Sequence, residues 1–140
     1  MNETRGLWRG KRTDNGEWVD GFLVKMWGTV HLQDKEDENL AVPVDPETLG
    51  ECTGLRDKNG KLIFEGDVVR TKKYGKDVYY SNVNDYDIFV VKFEPALFRL
   101  ENHNRRFILD DDGYSKLEII GNIHDNPELL KGAQNEQKNI

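Results

Sequence analysis

The chain has 140 residues, of which 36% are hydrophobic and 33% charged, and a formal net charge of −6. That is the length of one domain, or of two very small ones sharing a core, and its acidity opposes broad affinity for polyanions while leaving room for a local basic site. A lone cysteine, Cys52, excludes an internal disulfide and fits a reducing compartment. Apolar runs of only a few residues exclude a bilayer-spanning helix of about 20 residues, and "MNETRGLWRGKR" has no signal-peptide core.

Strand signals dominate from the start. Arg5, Arg9, Lys11 and Arg12 cluster around Trp8, and Asn15-Gly16 then offers a hairpin turn of type I′. In "GEWVDGFLV" the period-two spacing puts Trp18, Phe22 and Val24 on one side of an extended chain, with Asp20 between them. The acidic "QDKEDENL" reads as a solvated hairpin loop. "VDPETLGE" carries an Asp cap, Pro at the first helical position and Glu in the first turn, enough for one or two helical turns anchored by Leu49.

The stretch "TGLRDKNGKLIFEGDVV" raises the question of a ligand-cradling glycine loop. A phosphate loop needs a strand, glycines and then a helix, and no helical periodicity follows Gly66. Gly54, Gly60 and Gly66 are therefore read as turn residues, with Asn59-Gly60 as a second type I′ hairpin. Glu65 and Asp67 could position a metal or a general base, but Glu-Gly-Asp is ordinary turn chemistry and is read so.

"RTKKYGKDVYYSNVNDYD" follows, a polar and Tyr-rich insertion over residues 70–87. Arg70, Lys72, Lys73, Tyr74, Lys76, Tyr79 and Tyr80 combine phosphate attraction with stacking rings, and they are the candidate nucleic-acid-binding residues. "DIFVVKFE" and "PALFRLEN" then read as a hairpin, with Leu97, Arg99 and Glu101 alternating against Phe98 and Leu100. Asp110-Asp111-Asp112-Gly113 lacks the calcium-loop spacing and reads as a turn. "KLEIIGNIH" is a further strand with a bulge or close approach at Gly121, and "DNPELLKG" a short helical turn anchored by Leu129 and Leu130. The tail, 131–140, is read as disordered.

No catalytic constellation assembles. His31, His103, His124 and Cys52 have no metal-ligand spacing, and neither Ser81 nor Ser115 sits in a nucleophile turn. Pairing of Cys52 with His31 or His124 is not visible in sequence, and an inert, partly buried thiol is the plain reading.

In order, "RGKRTDNGEWVDGFLV", "VDPETLGECTGLRDKNGKLIFEGDVV", "VVKFEPALFRL" and "LEIIGNIHDNPELL" resemble the YopX family of phage and prophage proteins. The start departs from an Arg-Phe-Arg-Gly-Lys-like pattern, although Leu7-Trp8 keeps its apolar body. The resemblance implies a small, mainly β protein in the cytoplasm of a bacterial host cell, and it brings no catalytic residues.

The expected fold is mainly β: an N-terminal meander over 1–50 packed with a C-terminal SH3-like small β-barrel over 51–130, with only short helical turns. The expected function is non-enzymatic binding of a phage or host protein, without cofactor, metal or membrane. Edge strands make a homo-oligomer an accompanying expectation. Nucleic-acid binding is the alternative reading, and a metal-dependent hydrolase built on Asp and Glu the last.

Overall fold

The computed structural model describes residues 6–72, 86–94, 97–102, 106–109 and 116–130. The acidic triplet at 110–112, most of the Tyr-rich insertion, and the tail lie outside the described residues. Eleven strands make up most of the described residues. They are β1 (Leu7–Lys11), β2 (Trp18–Met26), β3 (Thr29–Gln33), β4 (Ala41–Pro43), β5 (Gly50–Arg56), β6 (Leu62–Phe64), β7 (Asp67–Lys72), β8 (Tyr86–Glu94), β9 (Leu97–Glu101), β10 (Arg106–Ile108) and β11 (Glu118–Asn122). Two sheets result, ordered β4-β3-β2-β1-β5-β6 and β10-β9-β8-β7-β11, with antiparallel pairings. The chain divides into units 1–54 and 55–140, the boundary falling inside β5.

In the first unit β1 to β4 form the expected meander. Trp18 faces Lys11, Asp20 faces Arg9 and Phe22 faces Leu7, so the even positions of β2 share one side, as their spacing predicts. Glycine is required at one position of this sheet and closely approached at another. A Cβ on Gly21 would collide with the Gln33 carbonyl, and one on Gly10 would touch Leu49 at 3.2 Å and Val44 at 3.3 Å. Leu49 thus seats over Gly10. It follows a 3-10 turn, Pro46–Thr48, whose Asp45 cap accepts the Glu47 N–H and whose Thr48 hydroxyl oxygen accepts the Lys11 N–H at 2.9 Å. The acidic loop is a solvated connection held by its own side chains. Asp34 Oδ1 accepts the Glu36 and Asp37 N–H groups, and Asp37 Oδ1 accepts that of Asn39.

In the second unit Ile63, Val69, Phe89, Val91, Leu100, Leu109 and Leu117 form the buried core, with Leu55, Phe98 and Ile119 packed against it. The predicted hairpin is β8–β9, Val91 opposite Leu100 and Lys92 opposite Arg99, which sends Phe98 and Leu100 inward and Arg99 and Glu101 outward. The register of β11 against β7 shifts between Ile119 and Gly121, the bulge expected there. A Cβ on Gly121 would meet Asn126 Oδ1 at 2.5 Å and Leu129 Cδ1 at 2.9 Å, so the helical turn at 128–130 lies close over the strand. The expected closed barrel is not formed by the described strands. β10 and β11 are the two ends of an open five-stranded sheet.

Both hairpin turns predicted as type I′ have a different backbone. Type I′ needs positive φ at both central residues, but only Gly16 (+74°) and Gly60 (+84°) have it; Asn15 and Asn59 do not. The cause is local. Asp57 Oδ1 accepts the Asn59 and Lys61 N–H groups, while Gly60 N–H bonds the Asp57 carbonyl and Asp57 N–H the Lys61 carbonyl. That is a three-residue loop, a right-handed turn closed by a left-handed glycine. The type I′ backbone occurs instead between β2 and β3, at Trp27 (φ +50°) and Gly28 (φ +78°).

Candidate functional site

Gly60 and Gly66 (φ +93°) lie in turns, whereas Gly54 (φ +82°), also read as a turn residue, lies inside β5. Asp67 is fully buried, and its Oδ2 accepts the Phe64 N–H at 2.8 Å across the Glu65-Gly66 turn. The turn is further fixed by Gly66 N–H to the Val91 carbonyl and Ile123 N–H to the Gly66 carbonyl. The Glu65–Asp67 carboxylates therefore belong to a turn, with Asp67 engaged in holding it. Asp57 is also buried, at 5% exposure. Burial opposes its ionisation, but N–H donors from Ile119, Lys61 and Asn59 outweigh that and hold its pKa below the usual carboxylate value.

No group of three His, Cys, Asp or Glu side chains able to hold a metal ion occurs among the described residues. His31 Nδ1 lies 3.5 Å from the Thr29 hydroxyl, and the buried Cys52 Sγ accepts the Gly54 N–H at 3.4 Å.

Of the predicted nucleic-acid-binding residues, Arg70 and Lys72 lie on β7; Lys73, Tyr74, Lys76, Tyr79 and Tyr80 fall outside the described residues. Arg70 Nε donates to Glu118 Oε1 at 2.6 Å, directly across the β7–β11 pair, and Lys58 Nζ approaches the same oxygen at 3.8 Å. Arg70 accordingly lowers the Glu118 pKa, chiefly through that hydrogen bond. The outward face of β8–β10 is likewise self-compensating. Arg99 bonds Glu94 at 2.8 Å, Lys92 reaches Glu101 at 3.1 Å, and Arg106 bonds both Glu101 and Glu94.

The N-terminal basic cluster separates by strand alternation. Arg9 and Lys11 share a face with Trp18, their charges 4.9 and 5.6 Å from its ring centroid, while Trp8 lies on the other face. Arg12 is clamped by both carboxylate oxygens of Asp14, at 2.9 and 2.7 Å. The aromatic partner of this basic face is therefore Trp18.

The feature that sequence reasoning missed is Trp27. It is 94% exposed at the tip of the β2–β3 hairpin and holds a left-handed backbone, which bulky L-residues adopt rarely and at a cost of order 1 kcal/mol. At that exposure, packing among the described residues does little to repay the cost. The available signal was Trp-Gly between "FLVKM" and "TVHLQ", two residues joining two β-like runs with Gly second.

No helix among the described residues is long and apolar enough to cross a membrane. No curated protein matches the chain. A solved structure, that of protein EF1440 from Enterococcus faecalis, is similar in fold, with a TM-score of 0.52 at 21% identity over 88% of this chain and 96% of that one. The model of the family described as YopX protein matches residues 7–131, and on that span the chain belongs to the YopX family.

Proposed function

We propose that this chain is a non-enzymatic phage or prophage accessory protein that binds another protein, phage or host, in the cytoplasm of a bacterial cell. Trp27 carries the reading: a large aromatic side chain held out on a two-residue turn at the expense of its own backbone. Tryptophan is enriched among the few residues that dominate protein interfaces, because it buries a large area with little conformational entropy to lose. In support, Asp57, Asp67 and Arg70, among the described acids and bases, are engaged in turns or ion pairs. We read the second sheet as SH3-like, a scaffold that leaves its loops for recognition. Its order β10-β9-β8-β7-β11 is a meander whose last strand returns beside the first.

The test is a photo-crosslinking amino acid at position 27, used in cells carrying the phage or prophage. One discrete adduct is expected, competed away by wild-type protein and not by Trp27→Ser. Absence of an adduct, or equal competition by Trp27→Ser, would overturn the proposal.

Nucleic-acid binding is the second reading, favoured by Arg9 and Lys11 around Trp18 together with the basic loop from Arg70 to Tyr80. It predicts binding of single-stranded DNA or RNA at low salt that weakens steeply as salt rises, reduced by Arg9→Ala and Lys11→Ala.

A further inference from the structure

The outer edge of β11 is covered by the Asp57 turn in a way that imitates a strand. Within β11, Glu118 points its backbone groups at β7, where it pairs with Arg70. The groups pointing the other way belong to Leu117 and Ile119. Leu117 offers its carbonyl to the Lys58 N–H at 2.9 Å, and Ile119 gives its N–H to Asp57 Oδ2 at 3.0 Å. One donor and one acceptor, two residues apart on the edge, are thus met by one acceptor and one donor on adjacent residues of a turn. Further along, Asn126 Oδ1 takes the outward N–H of Asn122 at 3.3 Å.

A carbonyl at one position and an N–H two residues later form the pair that an antiparallel strand engages around a non-hydrogen-bonded position. A second copy of β11, brought alongside with Glu118 of each copy facing the other, presents the same pair in reverse. Leu117 carbonyl and Ile119 N–H of one copy would meet Ile119 N–H and Leu117 carbonyl of the other, closing a two-fold interface. The edge is self-complementary, and among the described residues the Asp57-Lys58 turn occupies its Leu117 carbonyl and Ile119 N–H.

We propose that the Asp57-Lys58 turn is a guard on this edge, and that the occupant it excludes is a second copy of the chain joined through Leu117 and Ile119. The ion pair of Glu118 with Arg70 is retained behind the guard, and like-charged Glu118 side chains facing each other add a second barrier to pairing. This device is independent of any partner of Trp27.

Two substitutions in the full-length chain remove the guard by different means. Asp57→Asn leaves one oxygen for the Asn59 and Lys61 N–H groups but sets an amide donor against the Ile119 N–H. Lys58→Pro suits its position, the first central residue of a right-handed turn, and deletes the donor to Leu117 together with the 3.8 Å approach of Lys58 Nζ to Glu118. In dilute Asp57→Asn protein, hydrogen exchange at the Ile119 amide should quicken about tenfold, the loss of one charge-assisted bond. Both variants should show concentration-dependent dimerisation by sedimentation beyond that of the wild type. In the Asp57→Asn dimer the Ile119 amide should regain protection. If both variants sediment as the wild type up to their solubility limit, the proposal is overturned. It is equally overturned if dimers form while Ile119 stays as exposed as in dilute Asp57→Asn. Should Asp57→Asn fail to fold, Lys58→Pro decides alone: dimerisation supports the guard, and wild-type sedimentation refutes it.

Discussion

Asp57 and Ile119 stand 62 positions apart in sequence, yet the carboxylate of one takes the backbone N–H of the other at 3.0 Å. The same carboxylate organises its own turn through Asn59 and Lys61, so one buried side chain both shapes a hairpin and ties it to the last strand. Removing it strands three N–H groups. Asp57→Ala should cost about 3 kcal/mol of unfolding free energy, measured by denaturant titration, with Asp57→Asn losing less because one acceptor survives.

The pH dependence has a definite sign. The folded-state pKa of Asp57 is depressed below its ordinary 3.8, since the three N–H donors outweigh burial. The group therefore binds fewer protons folded than unfolded. Its contribution is fully present above the unfolded value and is lost as pH falls through the folded one. The difference in unfolding free energy between wild type and Asp57→Asn should be flat from neutral pH to about 5 and shrink below about 4. A difference that grows on acidification would contradict this.

Trp27 can be examined without knowing a partner. Trp27→Asn places Asn-Gly in a turn whose two central residues have positive φ, the preferred pair for that geometry. The variant should be about 0.5–1 kcal/mol more stable by chemical denaturation, the reverse of the usual effect of deleting a tryptophan. Wild-type fluorescence should contain a component fully accessible to acrylamide, and that component should vanish in the variant.

The two sheet glycines of the first unit should differ sharply. Gly21→Ala drives its methyl into the Gln33 carbonyl, a backbone atom that cannot step aside without breaking the β2–β3 register. A loss of about 2–4 kcal/mol is expected. Gly10→Ala meets only the Leu49 and Val44 side chains, at 3.2 and 3.3 Å, and should cost about 1 kcal/mol. Thermal unfolding of the pair measures the contrast.

Arg70→Ala should move the Glu118 titration upward toward 4.5, because the Arg70 hydrogen bond is the largest influence lowering it. The carboxyl carbon shift of Glu118 followed by NMR reads this directly. An unmoved titration would mean that the ion pair does not persist in solution.

What was legible in sequence was whatever period-two alternation controls. The β8–β9 hairpin and the shared face of Trp18, Phe22 and Val24 follow from side chains pointing alternately in and out, while the bulge before Gly121 was marked by the glycine itself. Turn type was less legible, because Asp57 reaches forward to the Asn59 and Lys61 N–H groups and selects a right-handed turn where the Asn-Gly dipeptide alone favours the mirror image. Trp27 escaped notice for a related reason: a bulky residue is against preference where φ must be positive. The basic cluster around Trp8 was misassembled because proximity in sequence ignores the alternation that puts Arg9 and Lys11 with Trp18.

The pairing of β7 bears on the order in which the second unit can form. Val69 lies between Phe89, which follows soon in the chain, and Ile119, which emerges 50 residues after it. During synthesis, β7 can acquire its first neighbour early but must wait for the last strand to gain the second, and until then the Asp57 carboxylate has no Ile119 to bind. Such long-range closure makes folding of this unit slow and late, completed only after the chain from Leu117 onward has left the ribosome.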